Sequence, residues 1–319
     1  MKPVLLLAFA TLLIASLAGC FSIPLNEDFV FRPPNHNTRD RTDLSVRWEE
    51  VFEARTDFTY DINADGETAR FNLEKGQLIP ARVWHGYLES DAQKTAWTII
   101  ERGDPTRPLI VHCGGNATDR YGSAAVYGIK LIDFGDAYLY DYPGYGDSTG
   151  EPTVDNVQAV GKAVAEHVST FAGPDRPVVL WGHSLGGFIC SDLVQHLPRL
   201  DGMIFEASAR NADSVAKGAL PLLIRPFLRL AVDPMLNAFD NVKALEGFEG
   251  LVLVLGAKKD RTLPVGLSRS LADDLKTAGG DVTYVEFDNA NHVSISTQDK
   301  FCTEVSAFFE RIADYTRPE

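Results

Sequence analysis

A serine hydroxyl is unreactive at neutral pH unless a base sits beside it, and a histidine base needs a carboxylate to orient it. The chain carries Ser184 in Gly182-His183-Ser184-Leu185-Gly186, directly after the apolar run 177–181 and directly before an apolar stretch of helical period. Glycines two residues to either side of a serine let a strand turn sharply into a helix. The turn forces the serine into a strained backbone and raises its hydroxyl at the strand's carboxyl end. The helix N-terminus beneath it favours negative charge. Ser184 is therefore the candidate nucleophile. Two later apolar runs, 251–256 and 282–287, lead into Asp260 and His292. Acid and base then follow the nucleophile in the order Ser, Asp, His, each just past a strand end. Asp233 is a rival acid, but it lies outside the strand–helix alternation, and Asp260 fits better. His183 sits inside the turn and is expected to pack beneath it.

These residues need a scaffold that brings strand ends together. Short apolar runs at 82–88, 96–101, 108–113, 137–141, 177–181, 202–206, 251–256 and 282–287 alternate with helical-period segments at 124–134, 154–171, 185–197, 265–278 and 297–312. Such alternation predicts an α/β fold, a mainly parallel sheet covered by helices. The first two runs read as an antiparallel hairpin, and the later ones are nearly uninterrupted, as strands buried on both faces should be. Residues 208–247 interrupt the alternation. They include a strongly apolar run, 220–230, that predicts a helical cap over a pocket or a pair of packing helices.

With nucleophile, acid and base in this order, the chain resembles a serine hydrolase of the α/β-hydrolase family, esterase- or lipase-like, over about residues 78–309. The resemblance implies an eight-stranded, mainly parallel sheet with helices on both faces and a short cap. It also implies an oxyanion hole built from backbone amides. One amide is that of Leu185. The other lies in His112-Cys113-Gly114-Gly115-Asn116-Ala117, which matches the family's Gly-Asn-Ala but has Gly114 where a His is expected; Asn116 is assigned as the donor. Asp141-Tyr142-Pro143-Gly144-Tyr145-Gly146-Asp147-Ser148-Thr149-Gly150 resembles another family segment, a glycine-hinged loop expected to shape the pocket wall without supplying catalytic groups. The implied activity is cleavage of a carboxylic ester or thioester, from a small molecule or a lipid, through an acyl-enzyme. A peptidase or amidase, an acyltransferase and a non-catalytic binding protein remain alternatives on the same scaffold.

Composition narrows the field. With 30 Lys plus Arg against 44 Asp plus Glu, the net charge of −14 is a poor match for nucleic acid. No glycine-rich phosphate loop and no His/Cys cluster is present, so neither a cofactor nor a metal is expected. Residues 1–19 begin with Lys2 and an apolar run, 4–17, too short to span a bilayer comfortably but suited to a signal peptide. The run ends in Leu17-Ala18-Gly19-Cys20, which resembles the lipobox of bacterial lipoproteins, with Cys20 as the lipidated residue. That implies a lipid-anchored protein of the cell envelope. Phe21 in place of Asp leans towards the outer membrane, facing the periplasm. Residues 20–43 read as an extended tether, and 44–319 as one hydrolase domain with its insertion at 208–247. Cys113, Cys190 and Cys302 read mainly as small buried apolar residues, with one disulfide compatible with an oxidising compartment.

Overall fold

The computed structural model describes residues 21–34, 58–63, 66–72, 78–90, 93–124, 127, 129–219 and 228–315. In chain order the strands are β1 (Phe21–Leu25), β2 (Phe58–Asn63), β3 (Gly66–Asn72), β4 (Leu78–Ser90), β5 (Gln93–Glu101), β6 (Leu109–Cys113), β7 (Asp136–Tyr140), β8 (Val178–His183), β9 (Gly202–Glu206), β10 (Leu228–Val232), β11 (Leu251–Ala257) and β12 (Asp281–Phe287). The helices are α1 (Glu27–Val30), α2 (Arg120–Ser123), α3 (Ile129–Phe134), α4 (Val154–Ala172), α5 (Leu185–Leu193), α6 (Ala212–Ala219), α7 (Asn241–Ala244), α8 (Gly266–Thr277) and α9 (Phe301–Asp314).

Strands β6, β8, β9 and β11 are buried at every position, as continuous apolar runs covered on both faces must be. They occupy the middle of one sheet of order β12-β11-β9-β8-β6-β7-β5-β4-β3-β2. From β12 to β7 neighbours pair in parallel, and β4 and β5 form the expected antiparallel hairpin. The eight expected strands are all present, and β2 and β3 extend the sheet antiparallel beyond β4. Helix α4 shows how the covering layer is encoded. Thr153 caps it by accepting from the Asn156 amide at 3.2 Å, and Val154, Val157, Val160, Val164 and Val168 form its buried stripe. The stripe packs with α5 and α8 in one core layer, while Phe301, Val305, Phe308 and Ile312 of α9 fill the core on the other face. The fold is an α/β-hydrolase fold, as expected.

Two expectations about the ends of the cap and tether are overturned. Residues 21–34 are not a free tether. β1 pairs in parallel with β10, Leu25 and Phe31 are buried, and Asn26 caps α1 by accepting from the Phe29 amide at 3.1 Å. An apolar residue at 25 and another at 31, flanking a capped turn, give this segment two anchors that its proline and polar content concealed. The apolar run 220–230 is not helical throughout, because Leu228–Val232 is a strand. Its partner, β1, is about two hundred residues away, so no local pattern could announce it. The rest of that run, 220–227, lies outside the described residues, as do 1–20 with Cys20.

His112 of β6 is 1% exposed, packs against the Tyr127 ring at 4.6 Å between centroids, and has no hydrogen-bond partner for either ring nitrogen among the described residues. Burial pushes its pKa down to about 3. The folded protein therefore keeps this ring neutral, whereas the unfolded chain protonates it below about pH 6.5. Stability from this site is present above that pH and is lost as the pH falls. Between pH 6.5 and 5 the loss should approach about 2 kcal/mol. Urea unfolding of the wild type and His112→Phe across this range should show a shallower acid loss in the variant; equal slopes would refute the assignment.

Candidate active site

Ser184 stands between β8 and α5 with φ +53° and ψ −117°, a backbone conformation that side-chain-bearing residues rarely adopt. The strain persists because its neighbours leave no other path. A Cβ on Gly186 would run into the Cys113 carbonyl, and one on Gly182 into the backbone of Gly186. The elbow is thus pressed against the end of β6, where the loop expected to form the oxyanion hole begins. The Ser184 amide donates to the Glu206 carbonyl at 2.8 Å, and the Ser184 carbonyl accepts from the Ser208 hydroxyl at 3.0 Å.

The three residues singled out from the sequence meet. The Ser184 hydroxyl lies 2.9 Å from His292 Nε2, and His292 Nδ1 lies 2.7 Å from Asp260 Oδ2. The other oxygen, Asp260 Oδ1, accepts from the Thr262 and Leu263 amides, each at 2.8 Å. Those two amides hold Oδ1, so the carboxylate presents Oδ2 to the imidazole. Asp233 stays out of the site and caps a turn by accepting from the Met235 amide at 2.9 Å. His183 does more than pack. Burial lowers its pKa, and Nε2 of the neutral ring lies 2.9 Å from the His292 carbonyl, tying the histidine loop to the elbow.

Asn116 and Leu185 both line the cavity that holds Ser184, and neither backbone amide has a hydrogen-bond partner among the described residues. The Asn116 side chain points elsewhere. Its Nδ2 donates to the Val30 carbonyl at 2.7 Å, while its Oδ1 accepts from the Arg32 amide and the Tyr145 hydroxyl, both at 2.9 Å. The Tyr142 hydroxyl donates to the Gly114 carbonyl at 2.7 Å. The glycine-hinged loop 141–150 therefore braces the oxyanion loop; it does not wall the pocket. Under it, Arg120 is fully buried and pairs with both Asp141 and Asp147.

Cys113 and Cys190 are joined in a disulfide, which replaces the reading of both as separate apolar fillers; Cys302 is free and exposed. The bond links the last residue of β6 to the middle of α5. Their meeting depends on the elbow folding α5 back against β6, a contact that spacing alone does not reveal.

The cavity has a volume of about 350 Å³, within the range of small-molecule sites. Leu185, Phe188, Val215, Leu236, Phe239 and Leu263 make it predominantly apolar. Leu25, Phe29, Val30 and Arg32 complete it, so the N-terminal segment contributes a wall that sequence reasoning missed. A larger polar depression of about 810 Å³ around Asp192, Lys243 and Phe248 contains none of the three reactive residues.

Closing a loop of 77 residues, the disulfide should contribute about 2–4 kcal/mol. The Cys113→Ala/Cys190→Ala double variant should unfold at a correspondingly lower urea concentration, and an unchanged midpoint would show that packing alone secures the junction.

Residues 109–304 match the sequence model of the alpha/beta hydrolase family. The human protein ABHD12B is 30% identical over 66% of this chain and 63% of its own length. The lysophosphatidylserine lipase ABHD12 of Xenopus tropicalis is 28% identical over 64% of this chain and 57% of its own, so the match spans about three fifths of these relatives. A Pyrococcus furiosus esterase of known structure superposes with a TM-score of 0.57 at 13% identity, covering 88% of this chain and 97% of that one, and shares the fold. Together with the elbow and the sheet order, the family match over most of the folded region means that the chain belongs to the alpha/beta hydrolase family.

Proposed function

We propose that the protein is a serine hydrolase that cleaves a carboxylic ester of a single acyl chain, most readily from a lipid. The observation that carries this reading is the Ser184–His292–Asp260 hydrogen-bond chain at the wall of an apolar cavity. Ser184 Oγ attacks the acyl carbonyl as its proton passes to His292 Nε2. Asp260 keeps the imidazole in the accepting orientation and stabilises its charged form. The amides of Asn116 and Leu185 receive the negative charge that develops on the carbonyl oxygen. His292 then protonates the departing alcohol. Water then attacks the acyl-enzyme as its proton passes to His292, which returns that proton to Ser184 Oγ as the bond to serine breaks and the acid leaves. The apolar walls favour an acyl chain, and the Xenopus relative, named as a lysophosphatidylserine lipase, supports a lipid ester over a peptide.

We extend the reading to the cell envelope, with lipid on Cys20 and the enzyme facing the periplasm from the outer membrane. The Leu17-Ala18-Gly19-Cys20 pattern supports this, and a buried disulfide suits an oxidising compartment.

Ser184→Ala should lose about 10⁴-fold or more in kcat on esters while unfolding like the wild type, and a fluorophosphonate probe should label only the wild type. Near-normal turnover by the variant would end the mechanism. Across acyl esters from acetyl to octanoyl, kcat/KM should climb by up to about fourfold per CH₂ before reaching a ceiling. A separate labelling experiment with a palmitate analogue should mark the wild type and not Cys20→Ser; an unlabelled wild type would remove the lipid anchor.

A further inference from the structure

The N-terminal segment is built into the mouth of the cavity. Beyond the β1–β10 ladder, the Leu25 carbonyl accepts from the Asp233 amide at 2.8 Å, and Glu27 Oε1 accepts from the Val154 amide at 2.5 Å. Phe31 meets the Phe239 ring edge-on at 6.5 Å. The Asn116 carboxamide then bonds Val30 and Arg32 at once. A segment secured at this many points is a fixed strap over the site.

Of the six large apolar side chains left in water among the described residues, Trp84 and Tyr87 lie on β4, and the other four belong to segments that line or adjoin the cavity. Among the described residues, Ile23 is 45% exposed, Phe29 46%, Met235 44% and Val293 63%. Phe29 lines the cavity, Ile23 lies two residues before the lining residue Leu25, Met235 adjoins the lining residue Leu236, and Val293 follows His292. Arg32, itself exposed, lays its guanidinium over the Phe29 ring at 4.7 Å, and its Nε donates to the Phe29 carbonyl at 3.2 Å. An apolar rim around an apolar cavity marks a surface that is covered in use.

The chain outside the structure indicates what covers it. β1 starts at Phe21, immediately after Cys20 and the apolar run that precedes it. Leu25, five residues beyond Cys20, is already a cavity wall. Fully extended chain spans about 3.3–3.6 Å per residue, so a membrane attachment at Cys20 lies within about 18 Å of the cavity. The residues that follow Cys20 up to Leu25 form β1. We propose that the rim formed by Ile23, Phe29, Met235 and Val293 docks on the lipid bilayer, so that an acyl chain passes from the membrane into the cavity beside Ser184 without crossing water. This rests on the acyl-ester hydrolase reading and adds the surface from which the substrate arrives.

The test uses the full chain with Ile23→Asp/Met235→Asp, neither residue lining the cavity. A short water-soluble nitrophenyl ester and a long-chain monoacylglycerol, held in vesicles of phosphatidylethanolamine and phosphatidylglycerol, are the two substrates. Turnover of the soluble ester should stay within about twofold, while turnover of the vesicle-borne ester falls about tenfold or more. In a Cys302→Ser background, an environment-sensitive fluorophore at Met235→Cys should shift to the blue with vesicles and be quenched by a lipid-borne quencher. The same label at Glu249→Cys, beside the amino end of β11, should do neither. A label at 235 that stays in water overturns the docking face even if the double variant folds poorly. Unchanged vesicle turnover in an active variant overturns it while leaving the hydrolase reading intact. Loss of a dimer in the variant, with vesicle turnover preserved, would mean that the rim meets a second copy and would also overturn it. A wild type inactive on both substrates would instead overturn the hydrolase reading, and the fluorophore would still report on docking.

Discussion

The structure turns on one backbone residue held where it would not choose to be. Ser184 at φ +53° carries a strain on the order of 1–3 kcal/mol, sustained because β8, α5 and the end of β6 are packed with no room for adjustment. Gly186 lies so close to the Cys113 carbonyl that the elbow and the oxyanion loop behave as one body. The disulfide makes that junction covalent a few residues further along. Any group that must face the serine is therefore measured from the elbow. The sheet sets the position of Asp260 and His292 by ending β11 and β12 at the same edge.

Polar contacts behind the triad keep the loops at that edge in register. His183 reaches from the elbow to the His292 carbonyl, and Tyr142 and Tyr145 reach from one loop to the next. The tyrosines depend in turn on the buried Arg120, whose guanidinium answers two carboxylates. Leaving either partner of such a pair alone in the interior costs about 3–5 kcal/mol, so this arrangement serves to fix geometry more than to add net stability. Preorganised amides stabilise developing charge only if they do not move when it appears.

Asn116 joins this rigid edge to the strap. One carboxamide satisfies Val30, Arg32 and Tyr145, so the oxyanion loop, the glycine-hinged loop and the N-terminal segment share a single hub. The N-terminal wall of the cavity is thereby coupled to the loop that carries the Asn116 amide.

Much of the candidate site was legible in the sequence because its signals are local. A strand, a glycine-flanked serine and a helix follow one another within a few residues around Ser184, and Asp260 and His292 each follow a buried apolar run directly. In a parallel sheet such runs end at a common edge, so position along the chain translates into position in space. The alternation of strands and helices declared the fold for the same reason. What the sequence left open depends on distances between remote residues. Cys113 meets Cys190, β1 meets β10, and two tyrosine hydroxyls find the oxyanion loop only after the sheet has closed. The polar, proline-containing 21–34 segment reads as a tether until Leu25 and Phe31 find a surface to bury against. Periodicity reports which face a residue shows to its own element, whereas these pairings are set by the packing of other elements, and only the tertiary structure decides them.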